Sequence, residues 1–209
     1  MATIGADGAD VRWNGAERAR TWQRTAAAPA GPEDLNPYDR CITRGVLGSI
    51  FPNIYNSASQ ILQVPGAVII QHEMIHEVRV IPVDGRPHLP DSIRLYMGDP
   101  RGHWEGDTLV VETTNFNGRT GSLGRNGNGN PTTRRLKLVE RFRRTELNTL
   151  QYEVRVDDPE TFTAPWTVAF PLTRDPAYTI YEYACHEANY ALPNMLKAMR
   201  ATEAASAPR

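Results

Sequence analysis

The chain has 209 residues, the usual length of one globular domain with at most a short arm. Its 23 Lys and Arg residues nearly balance its 24 Asp and Glu residues, and the net charge of -1 excludes a strongly basic protein that binds nucleic acid or anionic membranes. Four Trp, eight Tyr and five Phe residues are enough to fill a core, but no apolar run approaches the roughly 18 residues that cross a bilayer. We therefore expect a globular protein with no nucleic-acid partner and no membrane partner.

The N-terminal part of the chain predicts an arm followed by an irregular segment. Residues 11–28 fit a helix that carries Trp13 and Trp22, and we expect this helix to dock on the body of the protein or on a second subunit. The second arrangement would make a homodimer. Residues 29–65 are rich in Pro, Gly, Asn and Ser, which indicates a segment without regular structure.

Regular structure is predicted to begin at residue 68. Six segments rich in β-branched and aromatic residues, bounded by turn signals such as Asp84-Gly85, predict strands. These strands cover residues 68–83, 107–116, 135–145, 149–158, 166–174 and 178–187. A closing amphipathic helix is predicted after Asn189, because four apolar residues follow at helical spacing. They are Leu192, Met195, Leu196 and Met199.

These elements predict a mainly β fold, in which an antiparallel meander closes into a lipocalin-like barrel or half-barrel with a C-terminal helix and an N-terminal helical arm. Closure leaves a central cavity, where we expect a ligand to bind. The Gly- and Asn-rich residues 118–133 predict a mobile loop over one end. The expected domain bounds are 1–37 for the arm and irregular segment, 38–200 for the barrel with its helix, and 201–209 for a flexible tail.

Residues 72–76 read His-Glu-Met-Ile-His and match the H-E-x-x-H motif of zinc proteases. That chemistry requires a helix, whereas the β-branched residues on both sides and Pro82 predict a strand over residues 68–81. On a strand the two histidines lie about 13 Å apart, which is too far to share one zinc ion. We therefore expect no metal ion at this motif.

As a strand, the same segment places His72, Met74 and His76 on its more apolar face and Glu73 on the other. One core histidine is usually a packing residue. Two in one interior row favour a polar site inside the barrel, where a histidine can act as a general base.

The last predicted strand carries a second group of ionisable residues. Tyr181, Glu182 and His186 could supply an acid, a base and an orienting hydrogen bond, although packing between tyrosines explains the same pattern. Trp104 lies in a turn-rich run that is most simply a hairpin with an aromatic anchor. The candidate catalytic residues are His76, Glu73, Tyr181, Glu182 and His186, and the candidate ligand-binding residues are His72, Met74, Trp104 and Tyr190.

Cys41 and Cys185 are the only cysteines, and neither lies in a C-x-x-C motif. The sequence leaves open whether they are two buried thiols or one long-range disulfide. The chain opens without an apolar signal-like stretch, as expected of a cytoplasmic protein or of an exported protein whose signal has been removed.

Several long motifs resemble a family of uncharacterised bacterial proteins common in soil proteobacteria and acidobacteria. The matching segments, within residues 38–200, are RCITRG (40–45), EMIHEVRVIPVDGRPHLP (73–90), GDPRGHWEGDTLVVETTNF (98–116), LVERFRR (138–144) and YEYACHEANY (181–190). Members of that family commonly carry an export signal, so the resemblance implies a periplasmic or secreted protein and favours the disulfide. It implies no reaction. His72 departs from the family pattern, which favours Glu73 and His76 as site residues.

Three functions are compatible with these residues. The leading hypothesis is a small-molecule enzyme that needs no cofactor and uses acid–base chemistry, such as elimination, hydration or isomerisation. In it His76 is the general base, Glu73 or Glu182 orients it or acts as the acid, and Tyr181 donates to developing negative charge. The alternative is a non-catalytic periplasmic barrel that binds a small ligand. The third is a metal-dependent, cupin-like enzyme that uses His72, His76 or His186.

Overall fold

A computed structural model describes residues 3–4, 29–35, 37–52, 55–119 and 132–206. The helix predicted over residues 11–28 lies outside the described residues, and so do residues 120–131 of the predicted loop. The strands are β1 (Thr3–Ile4), β2 (Ser59–Val64), β3 (Ala67–His72), β4 (Val78–Pro82), β5 (Asp99–Glu105), β6 (Thr108–Thr114), β7 (Lys137–Glu146), β8 (Thr149–Asp157) and β9 (Trp166–Thr173). The α-helices are α1 (Gly45–Ile50) and α2 (Ala191–Ser206), and short 3-10 helices cover Pro32–Asp34 and Met74–His76.

The strands form two antiparallel sheets. The larger sheet has the order β1-β9-β8-β7-β6-β5, and the smaller one has the order β2-β3-β4. The mainly β, antiparallel prediction with a C-terminal helix is confirmed. Among the described strands no pairing joins β5 to β1 or one sheet to the other, so the lipocalin-like barrel is not confirmed.

Successive side chains along each strand of the larger sheet point to opposite faces, and one of these faces is directed toward the smaller sheet. On β7 and β8 the buried residues are Leu138, Glu140, Phe142, Tyr152, Val154 and Val156. All of these except Glu140 pack in one apolar cluster with Ile70 of β3 and Ile81 of β4. The core therefore lies between the two sheets, as binary patterning with period two requires.

A charged group lies within this core. Arg79 on β4 donates to both carboxylate oxygens of Glu140, at 3.1 and 2.7 Å, and to the hydroxyl oxygen of Thr113 at 3.2 Å. The hydroxyl of Tyr152 donates to Glu140 at 3.1 Å, and burial raises the pKa of Tyr152 well above its usual value. Burial alone would lower the pKa of Arg79, but the charge of Glu140 raises it. Both charges are thus retained and paired between the sheets.

Several sequence-based boundaries are wrong. Residues 68–81 are not one strand but a hairpin of β3 and β4, and their connection is residues 73–77. Residues 59–64, expected to be irregular, form β2 and pair with β3. Residues 178–187, expected to be a strand, have no regular structure.

The closing helix is confirmed as α2, which continues to Ser206 and so includes most of the expected flexible tail. Its predicted apolar residues, Leu192, Met195, Leu196 and Met199, are the ones whose side chains are half-buried. Arg200 donates to the backbone oxygens of Pro29 and Ala30, which ties the helix to the N-terminal side of the chain. No helix in the described part of the chain is long and apolar enough to span a membrane.

Candidate functional site

The candidate site lies where residues 174–190, which we call the C-terminal segment, cross the segment of residues 37–52 and 55–56 and the connection 73–77. The C-terminal segment follows β9 but does not extend the sheet. Its side chains and carbonyl groups instead contact the two other segments.

The connection 73–77 reverses the chain between β3 and β4. The N–H of His72 donates to the carbonyl of Glu77 at 2.8 Å, and the N–H of His76 donates to the carbonyl of Glu73 at 3.0 Å. Ile75 and His76 have φ values of 59° and 43°, in the left-handed region that a β-branched residue rarely occupies. The turn buries Glu73, Met74 and Ile75 and leaves His76 exposed.

Strained backbone is concentrated at this site. Among the described residues six that are not glycine have positive φ, and five of them lie in the three segments that meet here. They are Cys41, Asn56, Ile75, His76 and Ala188. Such conformations cost roughly 1–3 kcal/mol each and persist only where the surrounding contacts impose them, which occurs most often at functional sites.

Glu73 holds the three segments together from within. Its side chain is buried and accepts hydrogen bonds from the Asn56 amide and, at 2.6 Å, from the hydroxyl of Tyr178. The hydrogen bond to the Glu73 carboxylate raises the pKa of Tyr178 to about 12, so this hydroxyl stays protonated at neutral pH. Glu73 is therefore an anchor for the C-terminal segment. Within the described residues its carboxylate oxygens make no hydrogen bond with His76.

His76 is oriented by a backbone carbonyl. Its Nδ1 lies 3.2 Å from the carbonyl oxygen of Tyr183. Because a carbonyl only accepts, Nδ1 must carry the proton, and Nε2 of the neutral ring is then an acceptor. The exposed imidazole is thus held in the tautomer that a general base requires.

Tyr183, whose carbonyl contacts His76, belongs to a group of three tyrosines, and we call Tyr38, Tyr55 and Tyr183 the tyrosine cluster. The hydroxyls of Tyr38 and Tyr55 are in hydrogen-bond contact, and the rings of Tyr55 and Tyr183 are 6.3 Å apart. Burial and hydrogen bonds from the two other tyrosines raise the pKa of Tyr38. The Arg44 guanidinium carbon lies 4.1 Å from the centre of the Tyr38 ring. The cluster therefore combines hydroxyl donors with one buried positive charge.

Cys41 and Cys185 form a disulfide, as predicted, across a separation of 144 residues. Asn189 donates to the carbonyl of Asp39 at 3.3 Å on the same side of the site. These contacts fix the C-terminal segment next to Arg44 and the tyrosine cluster. Cys41 lies within three residues of Tyr38 and Arg44 in the chain, and Cys185 lies within three residues of Tyr183.

Thr43 and Glu77 join the hairpin connection to the segment before α1. The Thr43 hydroxyl lies 2.8 and 2.6 Å from the two oxygens of Glu77 and also accepts from the N–H of Gly45 at 2.8 Å. Burial raises the pKa of Glu77, an effect that the Thr43 hydrogen bond and the Arg79 charge oppose. The threonine thus orients the start of the helix that follows Arg44.

The structure brings only some of the predicted residues together. Glu73 and His76 lie in the site, whereas His72 and Met74 are buried below it and Trp104 lies on another sheet. Tyr181, Glu182, His186 and Tyr190 are exposed along the C-terminal segment. Among them Tyr181 reaches the site's edge, where its ring stands at right angles to that of Tyr178, 6.0 Å away.

Among the predicted site residues, His72 has the pKa that differs most from its ordinary value. Burial, together with the charge of Arg79, lowers its pKa to about 3, so it is neutral at physiological pH. Its Nδ1 contacts the Ser59 hydroxyl at 2.9 Å, and its buried Nε2 has no partner among the described residues. It faces the inter-sheet core and is a packing residue with respect to this site.

Sequence reasoning missed Tyr38, Arg44, Tyr55 and Asn56 as site residues. Arg44 lies in the RCITRG segment that carries the family resemblance, and this was the one signal that pointed to it. Tyr38, Tyr55 and Asn56 lie in the stretch that was expected to be irregular. Their partners in the site are distant from them in the chain. No local pattern identifies such contacts.

Another histidine, His88, lies among charged residues on the outer face of the larger sheet, and both of its ring nitrogens have partners. His88 contacts the buried Asp99 through Nδ1 at 2.8 Å and Glu112 through Nε2 at 3.3 Å. Asp99 also accepts from the N–H of Leu89 at 2.9 Å and pairs with Arg101 at 2.8 Å. Both ring nitrogens of His88 are engaged, so this cluster fixes the chain that crosses the sheet and offers no free base.

Within the described residues no group of three or more His, Cys, Asp or Glu side chains is placed to hold a metal ion, and the cupin-like hypothesis gains no support. No protein-family model, curated protein or solved structure matches the chain.

Proposed function

We propose that this protein is an enzyme that performs acid–base chemistry on a small organic molecule, with His76 as the general base. The observation that carries the proposal is the state of His76. Its Nδ1 is engaged by the Tyr183 carbonyl, its ring is exposed, and its backbone is held in a left-handed conformation. An imidazole oriented in this way presents Nε2 to a substrate and can remove a proton in an elimination, hydration or isomerisation.

The tyrosine cluster supplies the complementary acid function. Negative charge that develops on a substrate oxygen is stabilised by fixed donors, and hydroxyl groups serve this purpose when they remain protonated. The raised pKa of Tyr38 favours the protonated hydroxyl. Glu73 takes a different role from the one expected of it, since its carboxylate positions Tyr178 and Asn56.

A non-catalytic small-ligand-binding protein is the second candidate. It is favoured by the number of site groups that already hold the C-terminal segment, namely Glu73, Tyr178 and the Tyr183 carbonyl. In such a protein His76 and the tyrosine hydroxyls would orient a ligand without moving a proton. The two candidates differ in one measurable step, which is exchange of a substrate proton with solvent.

That step can be measured before the overall reaction is known. We would incubate the protein in D2O with a panel of small carbonyl compounds and hydroxy acids and follow the loss of carbon-bound hydrogen signals by proton NMR. Wild-type protein is expected to exchange a proton of at least one compound, and His76→Asn is expected to lower the rate by at least about 100-fold. His103→Asn, which changes an exposed histidine on β5, is the matched control and should retain the wild-type rate.

Equal exchange rates for His76→Asn and wild type would contradict the assignment of the base. Absence of exchange with every compound, combined with saturable binding of one of them, would favour the binding protein.

Two broader expectations accompany this function as proposals. A half-barrel is supported by the close approach of the sheets at Gly102, where an added Cβ would lie 2.9 Å from side-chain atoms of Ile81 and Val83. Export to the periplasm or beyond is supported by the disulfide, because disulfides persist in oxidising compartments.

A further inference from the structure

Arg44 carries a buried positive charge that the described residues do not neutralise. Its side chain is 5% exposed, and its Nε and Nη1 have no hydrogen-bond partner in the described part of the chain. The guanidinium remains protonated in proteins and has five N–H donors. Leaving such donors buried and unpaired costs more than leaving them in water, so the local structure favours an added acceptor.

Arg79 shows what this chain does with a buried arginine that has only a structural role. Arg79 is 2% exposed, and both oxygens of Glu140 accept from its Nη1 and Nη2, so that its charge is balanced although its Nε has no partner among the described residues. At Arg44 the Tyr38 ring covers one face of the guanidinium, but an aromatic face accepts no hydrogen bond in the plane of the group. Nε and Nη1 of Arg44 are thus charged, buried donors of the site that lack a partner among the described residues.

The surroundings of Arg44 restrict what the partner can be. Tyr38, which lies against Arg44, belongs to the tyrosine cluster, and this cluster provides hydroxyl groups and planar apolar rings. One guanidinium balances one negative charge, and its planar fork matches a carboxylate through two parallel hydrogen bonds. A phosphate dianion would leave one charge without compensation in this partly buried place.

We propose that Arg44 binds the carboxylate of a small organic acid, and that the substrate of the proposed acid–base reaction is therefore a carboxylic acid. This inference rests on the proposed function of the same site. Nε and Nη1 are shielded from solvent in the structure, so binding requires the side chains that cover them to rearrange. The carboxylate then accepts hydrogen bonds from these two nitrogens of Arg44.

Binding can be tested with matched pairs of acids and amides. Isothermal titration of wild-type protein with acetate, lactate and benzoate, and with acetamide, lactamide and benzamide, compares a carboxylate with a neutral group of the same shape. At least one acid is expected to bind saturably, and its amide is expected to bind at least tenfold more weakly. Inorganic phosphate is expected not to compete.

The variant Arg44→Lys keeps the positive charge but loses the planar fork, and it is expected to raise the dissociation constant of the bound acid at least tenfold. Arg155→Lys, an exposed arginine on β8, is the matched control and should bind as wild type. A melting curve of each variant establishes that it is folded. If Arg44→Lys does not fold, the comparison of acid with amide in the wild-type protein still decides the proposal.

Binding of no acid in the panel, equal binding of acid and amide, or unchanged binding in Arg44→Lys would each overturn the inference. Stronger binding of phosphate than of any acid would also overturn it. The two proposals fail separately. If proton exchange depends on His76 but acid binding is unaffected in Arg44→Lys, the acid–base function stands and the carboxylate assignment is wrong. If acid binding depends on Arg44 but no proton exchange occurs, the carboxylate assignment stands and the acid–base function is wrong.

Discussion

The inter-sheet core and the candidate site are both built from buried polar groups in contact with apolar ones, but they are stabilised differently. In the core Glu140 and Tyr152 lie on β7 and β8, which have a strand neighbour on both sides, Arg79 lies on β4 at the edge of the smaller sheet, and the charges of Arg79 and Glu140 are paired. In the site the C-terminal segment has no strand neighbour and is held by side chains, one carbonyl and one disulfide.

The difference shows where this fold leaves chemical groups available. On the strands of the core the charges of Arg79 and Glu140 are paired with each other, although Arg79 Nε and His72 Nε2 have no hydrogen-bond partner among the described residues. The site combines strained backbone with incompletely paired groups, of which Arg44 is buried and His76 is exposed. Function is therefore expected at the less regular of the two regions.

The largest expected effect comes from breaking the charge pair of the core. Glu140→Ala leaves the Arg79 guanidinium buried without its partner and should lower the free energy of unfolding by about 3–5 kcal/mol. Urea denaturation followed by circular dichroism measures this loss. Glu105→Ala removes the partner of Arg141 on the exposed face, 2.6 Å away, and should leave the midpoint nearly unchanged. Equal effects of the two variants would refute the distinction between buried and exposed pairs.

Removing the disulfide should have a smaller effect on unfolding but a greater one on the site. The double variant Cys41→Ser, Cys185→Ser releases a loop that spans 144 positions and should lower the free energy of unfolding by roughly 2–4 kcal/mol. Under conditions where the variant is still folded, amide exchange in residues 174–190 should become faster while exchange in β6–β8 is unchanged. Uniformly faster exchange would show that the segment is not a separate unit.

The pH dependence of stability should report on His72. Its pKa in the folded protein, about 3, is below the ordinary value of 6.5, so the unfolded chain takes up the proton first as the pH falls. The contribution of neutral His72 is present in full above pH 6.5 and is lost progressively between about pH 6.5 and 3, by at most about 1.4 kcal/mol per pH unit.

His72→Leu should flatten this part of the stability profile, whereas His103→Leu at an exposed position should not. The measurement is urea denaturation from pH 7 to pH 4. Parallel profiles of wild type and His72→Leu would mean that His72 is solvated in the folded state.

The smallest effect is expected at Tyr178. Tyr178→Phe removes one donor from Glu73 but leaves the Asn56 amide, so the protein should remain folded with a slightly lower melting temperature. Limited proteolysis after residue 174 should become faster than in wild type. Tyr181→Phe changes the neighbouring, more exposed ring and should be cut at the wild-type rate. An identical pattern for the two variants would remove the anchoring role of Glu73.

The sequence predicted the parts of this fold that depend on local pattern. Strands β6–β9 alternate apolar and polar residues between clear turn signals, and α2 has apolar residues at helical spacing, so both were found within a few residues of their ends. The hairpin of β3 and β4 was mistaken for one strand, because the apolar alternation continues through residues 73–77. Its turn uses left-handed Ile75 and His76 in place of glycine, and this no propensity predicts.

The site was predicted only in part for a different reason. Glu73 and His76 were found because they lie in a conspicuous motif. Their partners Tyr178 and Tyr183 are more than 100 residues away and were assigned to a strand, since the composition of residues 178–187 favours one. The segment instead makes tertiary contacts with Glu73, His76 and Cys41, which its own composition does not encode.

Amide chemical-shift mapping tests the central claim, that the ligand binds where the C-terminal segment crosses the rest of the chain, most directly. The wild-type protein would be titrated with acetate, lactate and benzoate while backbone amide signals are followed. We predict saturable shifts in residues 37–56, 73–77 and 178–190, with little change in β2 or on the outer face around His88. Shifts confined to the inter-sheet core or to the outer face, or no saturable shift with any of these acids, would contradict this account.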